Sequence, residues 1–374
     1  MLTTAGFSLL ALFASLLLAA SGQGTWPAVI HLAFAAGILP LILAAMIHFV
    51  PVLTRSGDPQ RGVSRLPHVA QVIGLLVPAA LQGWLPYWGL QLAACLDLLI
   101  ILRLLYWIRQ RSRAALGTPH PGWRWYAAAL LCAVLALLAI LAQALWPTQW
   151  LALRNFHLHL NTLGLVGLAA LGTLPVLLPT ALGQFDPEAA SWLRRRLGLT
   201  GAGALLVGLG SAWGWPWAVP GAALLLVVVL SLAGHWGRRF GWRVLLADGV
   251  AVSLVSALLG LALALTGGVL HAARLWQAWA GLGLWAAAFL LPLVTGALAQ
   301  LLPVWRWPGP QIPARPRMRG VLAAGGHWRA ALFLAGGMAL FFGLSPVAAA
   351  LIALGAARFA FDLFKAMRLQ RSTR

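Results

Sequence analysis

Residues 157–180 read HLHLNTLGLVGLAALGTLPVLLPT, and this stretch decides the class of the fold. Two histidines begin it, and an uncharged, mostly apolar run follows them. A helix that crosses a bilayer needs about 20 such residues, so the stretch predicts a membrane span with histidines near one end. The whole chain has the same character, since 61% of its 374 residues are hydrophobic and 9% are charged. Soluble domains carry about 25% charged residues, so the composition excludes an ordinary soluble enzyme.

Apolar runs between clusters of Gly, Pro and Arg predict an all-α, polytopic membrane protein with twelve transmembrane helices. The expected bounds are 4–21, 26–53, 67–85, 87–109, 125–146, 150–182, 196–214, 218–237, 245–268, 274–304, 325–344 and 346–368. The two cysteines, Cys95 and Cys132, both fall in apolar runs, so we expect them to be packing residues in a single transmembrane domain.

The basic residues alternate along the chain and predict its orientation. The formal net charge is +20, from 26 Lys and Arg against six Asp and Glu. The connections after the even-numbered helices are basic, and the C-terminus adds Arg371 and Arg374, whereas the other connections are short and nearly uncharged. By the positive-inside rule both termini face the cytoplasm, in the inner membrane of a bacterium. The charge is thereby explained without a nucleic acid partner, and membrane lipid is the expected surrounding.

Helices 2, 6 and 10 share a pattern that indicates a threefold repeat. They read LILAAMIHFVPVL at 41–53, LAALGTLPVLLPT at 168–180 and LVTGALAQLLPVW at 293–305. The equivalent prolines, Pro51, Pro179 and Pro303, are 128 and 124 positions apart, which is a third of the chain. We therefore expect three four-helix repeats, at about 1–120, 121–244 and 245–374, rather than the two halves of a major-facilitator transporter.

Histidines inside the apolar phase carry the chemical information. His31 precedes Pro51 by 20 residues, and His159 precedes Pro179 by 20 residues, so the two lie at equivalent depths. Ionisable residues within a span are functional by default, and imidazole is a usual ligand of haem iron and copper. We expect His31 and His159 to be axial haem ligands. His157 lies roughly 200° around the helix from His159 and is a candidate for a second site, or a structural residue.

Other residues near the predicted outer side complete the candidate site. Gly164 is a candidate for close approach of a flat ring, although plain helix packing is the alternative. Arg154 and Arg274 are basic residues on that side, and they predict either bonds to haem propionates or snorkelling to the interface. His271, close to Arg274, is a further candidate metal ligand.

The remaining ionisable residues are expected to be structural. His48 is either a packing residue or part of a second site. His68, His120, His235 and His327 are at or near basic loops and are expected at the interface. Asp97, Asp248 and Asp362 are expected to pair with arginines rather than to form a proton relay.

The topology, the long helices 2, 6 and 10 and the position of His31 resemble the haem-copper oxidase subunit I superfamily. The segment 157–180 is also similar to bacterial membrane proteins grouped near NnrS-type haem and copper proteins, which are linked to nitric oxide stress. In oxidases helix 2 provides a low-spin haem ligand, which the resemblance assigns to His31. It implies haem as cofactor, with copper as a further possibility.

The chain departs from the oxidase pattern in ways that change the expected function. Helix 6 has no His-Pro-Glu-Val-Tyr motif, helix 7 has no paired histidines for copper, and helix 10 has no His-x-His. We therefore expect a haem-binding inner-membrane protein without the full copper site, active in electron transfer or in nitric oxide or oxygen chemistry or sensing. A redox protein or a quinol would be its partner.

Three functions remain open at this stage. The chain is either such a haem protein, or a transporter that passes transition metals or small solutes along the same histidines. A third possibility is an assembly subunit without a cofactor, in which the histidines only hold helices together.

Overall fold

The computed structural model describes residues 1–309 and 312–370, and this part of the chain is all-helical. The C-terminal Arg371 and Arg374 lie outside it. Within these residues ten helices are long and apolar enough to cross a membrane, as expected of a polytopic membrane protein. They are α1 Leu2–Ala20, α2 Trp26–Thr54, α3 Arg61–Leu81, α4 Trp88–Arg113, α5 Gly122–Ala142, α6 Pro147–Ala181, α8 Trp215–Phe240, α9 Gly249–Ala272, α10 Ala280–Arg306 and α12 Ser345–Met367.

Two further helices correspond to the other predicted spans. Helix α7, Ala189–Trp213, carries Arg194, Arg195 and Arg196 in its first half and many glycines after them. Helix α11, Gly326–Phe341, has only 16 residues. A straight span takes about 20 residues, so neither is an apolar span by length and composition alone.

The structure changes the predicted border between helices 9 and 10. Helix α9 continues to Ala272 instead of ending near residue 268. Arg274 has a left-handed backbone with φ of 60° and lies in the turn that follows, whereas the prediction placed it at the start of helix 10. Short helices that the pattern did not predict, Trp242–Ala247 and Ala314–Ala324, lie in the basic connections before α9 and α11.

A π-helical segment interrupts each of α2, α6 and α10. The segments are Phe34–Ile38, Leu160–Gly167 and Trp285–Leu290. In α2 and α10 a proline stands two residues after the segment, Pro40 and Pro292, and its missing N–H removes one ordinary helix hydrogen bond. In α6 the Thr162 hydroxyl donates to the carbonyl of Leu158 at 2.9 Å within the segment.

The chain divides into two compact units, which are described separately. The first contains residues 1–172 and 190–214. In it, consecutive helices from α1 to α6 pack against each other. Gly74 of α3 lies so close to α2 that a Cβ would be 2.2 Å from the carbonyl oxygen of Ala35 in the π-helical segment. Glycine is required there because any side chain would push the two helices apart.

The second unit contains residues 173–189 and the described part of 215–374. Helix α9 contacts α8, α10 and α11, and α11 packs on α12. Close approach again depends on small residues: a Cβ on Gly260 of α9 would lie 1.9 Å from the carbonyl oxygen of Ala288, in the π-helical segment of α10.

Candidate histidine site

The structure brings the imidazole rings of His31 and His157 together within the first unit. Their centroids are 6.4 Å apart, and the ring planes are inclined by 18°. His31 lies in the first turns of α2, which begins after the capping side chain of Thr25. His157 lies in α6, and both histidines come shortly before the π-helical segment of their helix.

Both rings are held in the same way. The Nδ1 atom of His31 is 2.7 Å from the carbonyl oxygen of Pro27, in the preceding turn of α2. The Nδ1 atom of His157 is 2.9 Å from the carbonyl oxygen of Ala136, on α5. A carbonyl oxygen can only accept, so the proton lies on Nδ1 in both rings. Each Nε2 then carries a lone pair, which is the usual arrangement of a histidine that binds a metal.

Asn161 supports His157 from the next turn of α6. Its Nδ2 atom donates to the backbone carbonyl of His157 at 2.9 Å. The same atom is 3.3 Å from Nδ1 and 3.4 Å from Nε2 of the ring. Because the ring proton lies on Nδ1, the amide can donate to the ring only through Nε2, at the longer distance of 3.4 Å. Asn161 therefore restricts the orientation of the ring.

The partner of His31 differs from the one we expected. The sequence favoured His159, whose Nδ1 is bonded to the carbonyl of Asn155 at 2.9 Å in the preceding turn. His157 and His159 are roughly 200° apart around the helix, so they cannot both face the same neighbouring ring. The structure favours His157 as the residue opposite His31.

Gly164 has a packing role in the structure. A Cβ at this position would lie 2.6 Å from the Cβ of Cys132 on α5. The space beside Gly164 is thus taken by a neighbouring side chain, which favours helix packing over contact with a flat ring. Cys132 is buried here, as expected for a packing residue, whereas Cys95 is exposed.

Arg154 lies near the histidine pair and is exposed. It is three residues before His157 on α6. Its guanidinium lies over the ring of Trp150, at 5.5 Å from the ring centroid. A cation held in this way at the end of a span can reach either an interfacial anion or a carboxylate of a bound molecule.

His271 and Arg274 belong to the second unit. His271 is exposed, and its Nδ1 lies 3.1 Å from the carbonyl oxygen of Trp276. The backbone N–H of Arg274 donates to the carbonyl of His271 at 2.9 Å. These bonds close the turn after α9, so both residues have a structural role there.

The other histidines, at or near the basic connections, contact polar groups of neighbouring elements. Nε2 of His68 is 2.7 Å from the hydroxyl of Thr3, and His327 donates to the carbonyl of Leu246 at 2.7 Å. Burial and the charge of Arg194 lower the pKa of His120, which lies between α4 and α5. His235 was expected at the interface but is buried, with Nε2 at 2.7 Å from a carboxyl oxygen of Asp186.

Two of the three expected acid–arginine pairs are present. Asp248 is 2.9 Å from Arg319, and Asp362 is bound by Arg329 at 2.8 Å and Arg358 at 3.1 Å. Asp97 differs, because its buried Oδ1 has no hydrogen-bond partner within the described residues.

No group of three or more His, Cys, Asp or Glu side chains in residues 1–309 and 312–370 is placed to hold a metal ion. A site of two histidines suits a haem, because the porphyrin provides the other four ligands of the iron. In comparisons with known proteins, no family model, curated protein or solved structure matches the chain.

Proposed function

We propose that the chain is a haem-binding membrane protein in which His31 and His157 are the two axial ligands. The observation that carries the proposal is the distance of 6.4 Å between two nearly parallel rings. This separation would leave room for a metal between the two imidazoles, since each metal–nitrogen bond is about 2.0–2.1 Å long. The protonated Nδ1 atoms, each held by a carbonyl, support the same assignment because they direct both lone pairs away from the backbone.

Electron transfer is the role that two axial histidines favour. A haem held by these two imidazoles would supply one-electron transfer. The protein's part is to orient the two rings and keep their protons on Nδ1. Arg154, exposed and within electrostatic range of His31, is suited to bind a propionate. Copper is not required by this arrangement, and a quinol or a redox protein in the bacterial inner membrane would exchange the electron.

We also propose that all twelve helices cross the membrane as three four-helix repeats with both termini in the cytoplasm. The π-helical segments support the repeat, since they begin 17, 19 and 18 residues before Pro51, Pro179 and Pro303. A shared irregularity at the same depth in α2, α6 and α10 is hard to explain by packing alone. The third repeat has no histidine at this depth, so only the first two provide ligands.

Optical spectra of the purified full-length protein test the haem proposal. Protein made in haem-replete cells should show a Soret band typical of a low-spin, six-coordinate haem. We expect His31→Ala and His157→Ala to lose haem or become high-spin. His159→Ala, two residues further on the same helix, is the matched control and should keep the wild-type spectrum.

The same experiment separates the rival assignments. Loss of the low-spin spectrum in His159→Ala but not in His157→Ala would assign the ligand to His159 instead. A wild-type protein with no Soret band would overturn the haem proposal, and metal-dependent uptake into vesicles would then favour the transporter. Reduced wild-type protein should not bind carbon monoxide, and binding by the wild type would argue for gas sensing.

A further inference from the structure

Asp97 is a buried carboxyl in the middle of a candidate membrane span. Its residue is only 4% exposed, and Oδ1 is buried without a hydrogen-bond partner within the described part of the chain. It lies nine residues after Trp88, where α4 begins. At about 1.5 Å per residue this is roughly 14 Å along the helix, close to half the thickness of the hydrocarbon core.

The other acids of the chain are in different surroundings. Asp186 and Glu188 are close to His235, Asp248 pairs with Arg319, and Asp362 pairs with two arginines. Asp58 is exposed to solvent. Asp97 takes part in none of the ion pairs of residues 1–309 and 312–370. Asp97 therefore has neither the basic partner of these four acids nor the solvent exposure of Asp58.

The helices around Asp97 contain few groups that could balance a charge. Helix α4 packs against α3, α5 and the second half of α2. The titratable or charged side chains of these neighbours are Arg61, Arg65 and His68 at the start of α3, Arg124, Tyr126 and Cys132 of α5, and His48 of α2. On α4 itself Arg103 is exposed and lies over the ring of Tyr106, at 5.9 Å from its centroid. Arg103 does not pair with Asp97, since six residues place the two side chains on different sides of the helix.

We propose that Asp97 is an intramembrane proton-binding site, which holds its proton in the resting protein and exchanges it with the surroundings. An unpaired ionised carboxylate at the centre of a span costs at least about 2.5–3.5 kcal/mol, and the neutral acid avoids most of this cost. A neutral carboxylic acid is also the form that tolerates one oxygen without a donor. The inference does not depend on the haem proposal, because α4 provides none of the histidines.

Infrared spectroscopy of the full-length protein in phospholipid nanodiscs tests the proposal. The wild type should show the carbonyl-stretch band of a protonated carboxylic acid at neutral pH, and this band should shift in D2O and disappear as the pH is raised. Asp97→Asn has nearly the same shape and cannot hold this proton, so it should lack the band while keeping the wild-type thermal midpoint. Asp97→Glu should restore a band at a slightly different frequency.

The outcomes against the proposal are equally clear. A band absent from the wild type at neutral pH would mean that Asp97 is ionised. A band present in Asp97→Asn would belong to another carboxyl. A band unchanged throughout the pH series and in D2O would mean a sealed acid that exchanges no proton. Each of these results would overturn the proposal, and none of them depends on whether haem binds.

Discussion

At the scale of single residues, the two histidines of α6 show what a sequence can and cannot reveal. Their presence in an apolar run predicted a ligand site, and the structure pairs one of them with His31. The choice between His157 and His159 depends on the rotation of α6 relative to α2. Equal spacing from the prolines favoured His159, but the π-helical segments between the histidines and the prolines have different lengths. That difference alters the rotation, and it is not visible in residue counts.

Gly164 provides a prediction about packing. We expect Gly164→Ala to lower the thermal midpoint of the solubilised protein, because its new methyl group would lie 2.6 Å from the Cβ of Cys132. Overpacking of this kind costs about 1–3 kcal/mol. Gly198→Ala, in α7, is the matched control because nothing lies within 4 Å of its Cβ position. The double variant Gly164→Ala with Cys132→Gly should recover part of the loss, and a neutral Gly164→Ala would contradict the packing role.

At the scale of helices, composition predicted the elements well and their irregularities poorly. Apolar runs bounded by Arg, Gly and Pro predicted most long helices to within four residues, but α3 and α7 begin six and seven residues earlier than expected. The π-helical segments were missed, because a change in the backbone hydrogen-bond pattern does not alter the apolar composition from which the helices were predicted. Asp97 was expected to pair with a nearby arginine, but its buried Oδ1 has no hydrogen-bond partner within the described residues.

The proline after the π-helical segment of α2 provides a prediction at this scale. Pro40→Ala restores an N–H, which should favour ordinary helix over residues 34–38 and rotate the part of α2 that carries His31. We expect loss or a clear change of the low-spin haem spectrum while the protein stays folded. Pro292→Ala is the matched control, since it follows the corresponding segment of α10, where no histidine precedes it. Identical spectra for the wild type and Pro40→Ala would argue against a role of the segment in aligning the rings.

At the scale of the whole molecule, the alternating basic connections predict the orientation. In a variant without Cys95 and Cys132, we expect an impermeant maleimide added to intact spheroplasts to label Ser21→Cys, in the exposed turn after α1. Gln184→Cys, exposed in the basic connection after α6, should be labelled only after the membrane is permeabilised. The reverse pattern would mean that the termini face outward and that Arg154 and His31 lie on the cytoplasmic side.

The pairing of the acids has a consequence for the surroundings of the protein. Of six acids, four lie in contacts with His or Arg and one is buried in α4, whereas 26 residues are Lys or Arg. The chain therefore cannot supply its own counterions. We expect anionic headgroups to provide them, at about 1 kcal/mol for each basic residue near the surface. The lipid mixture chosen for extraction is thus part of the stability of this protein, and zwitterionic lipid alone should leave it with an unbalanced cationic rim.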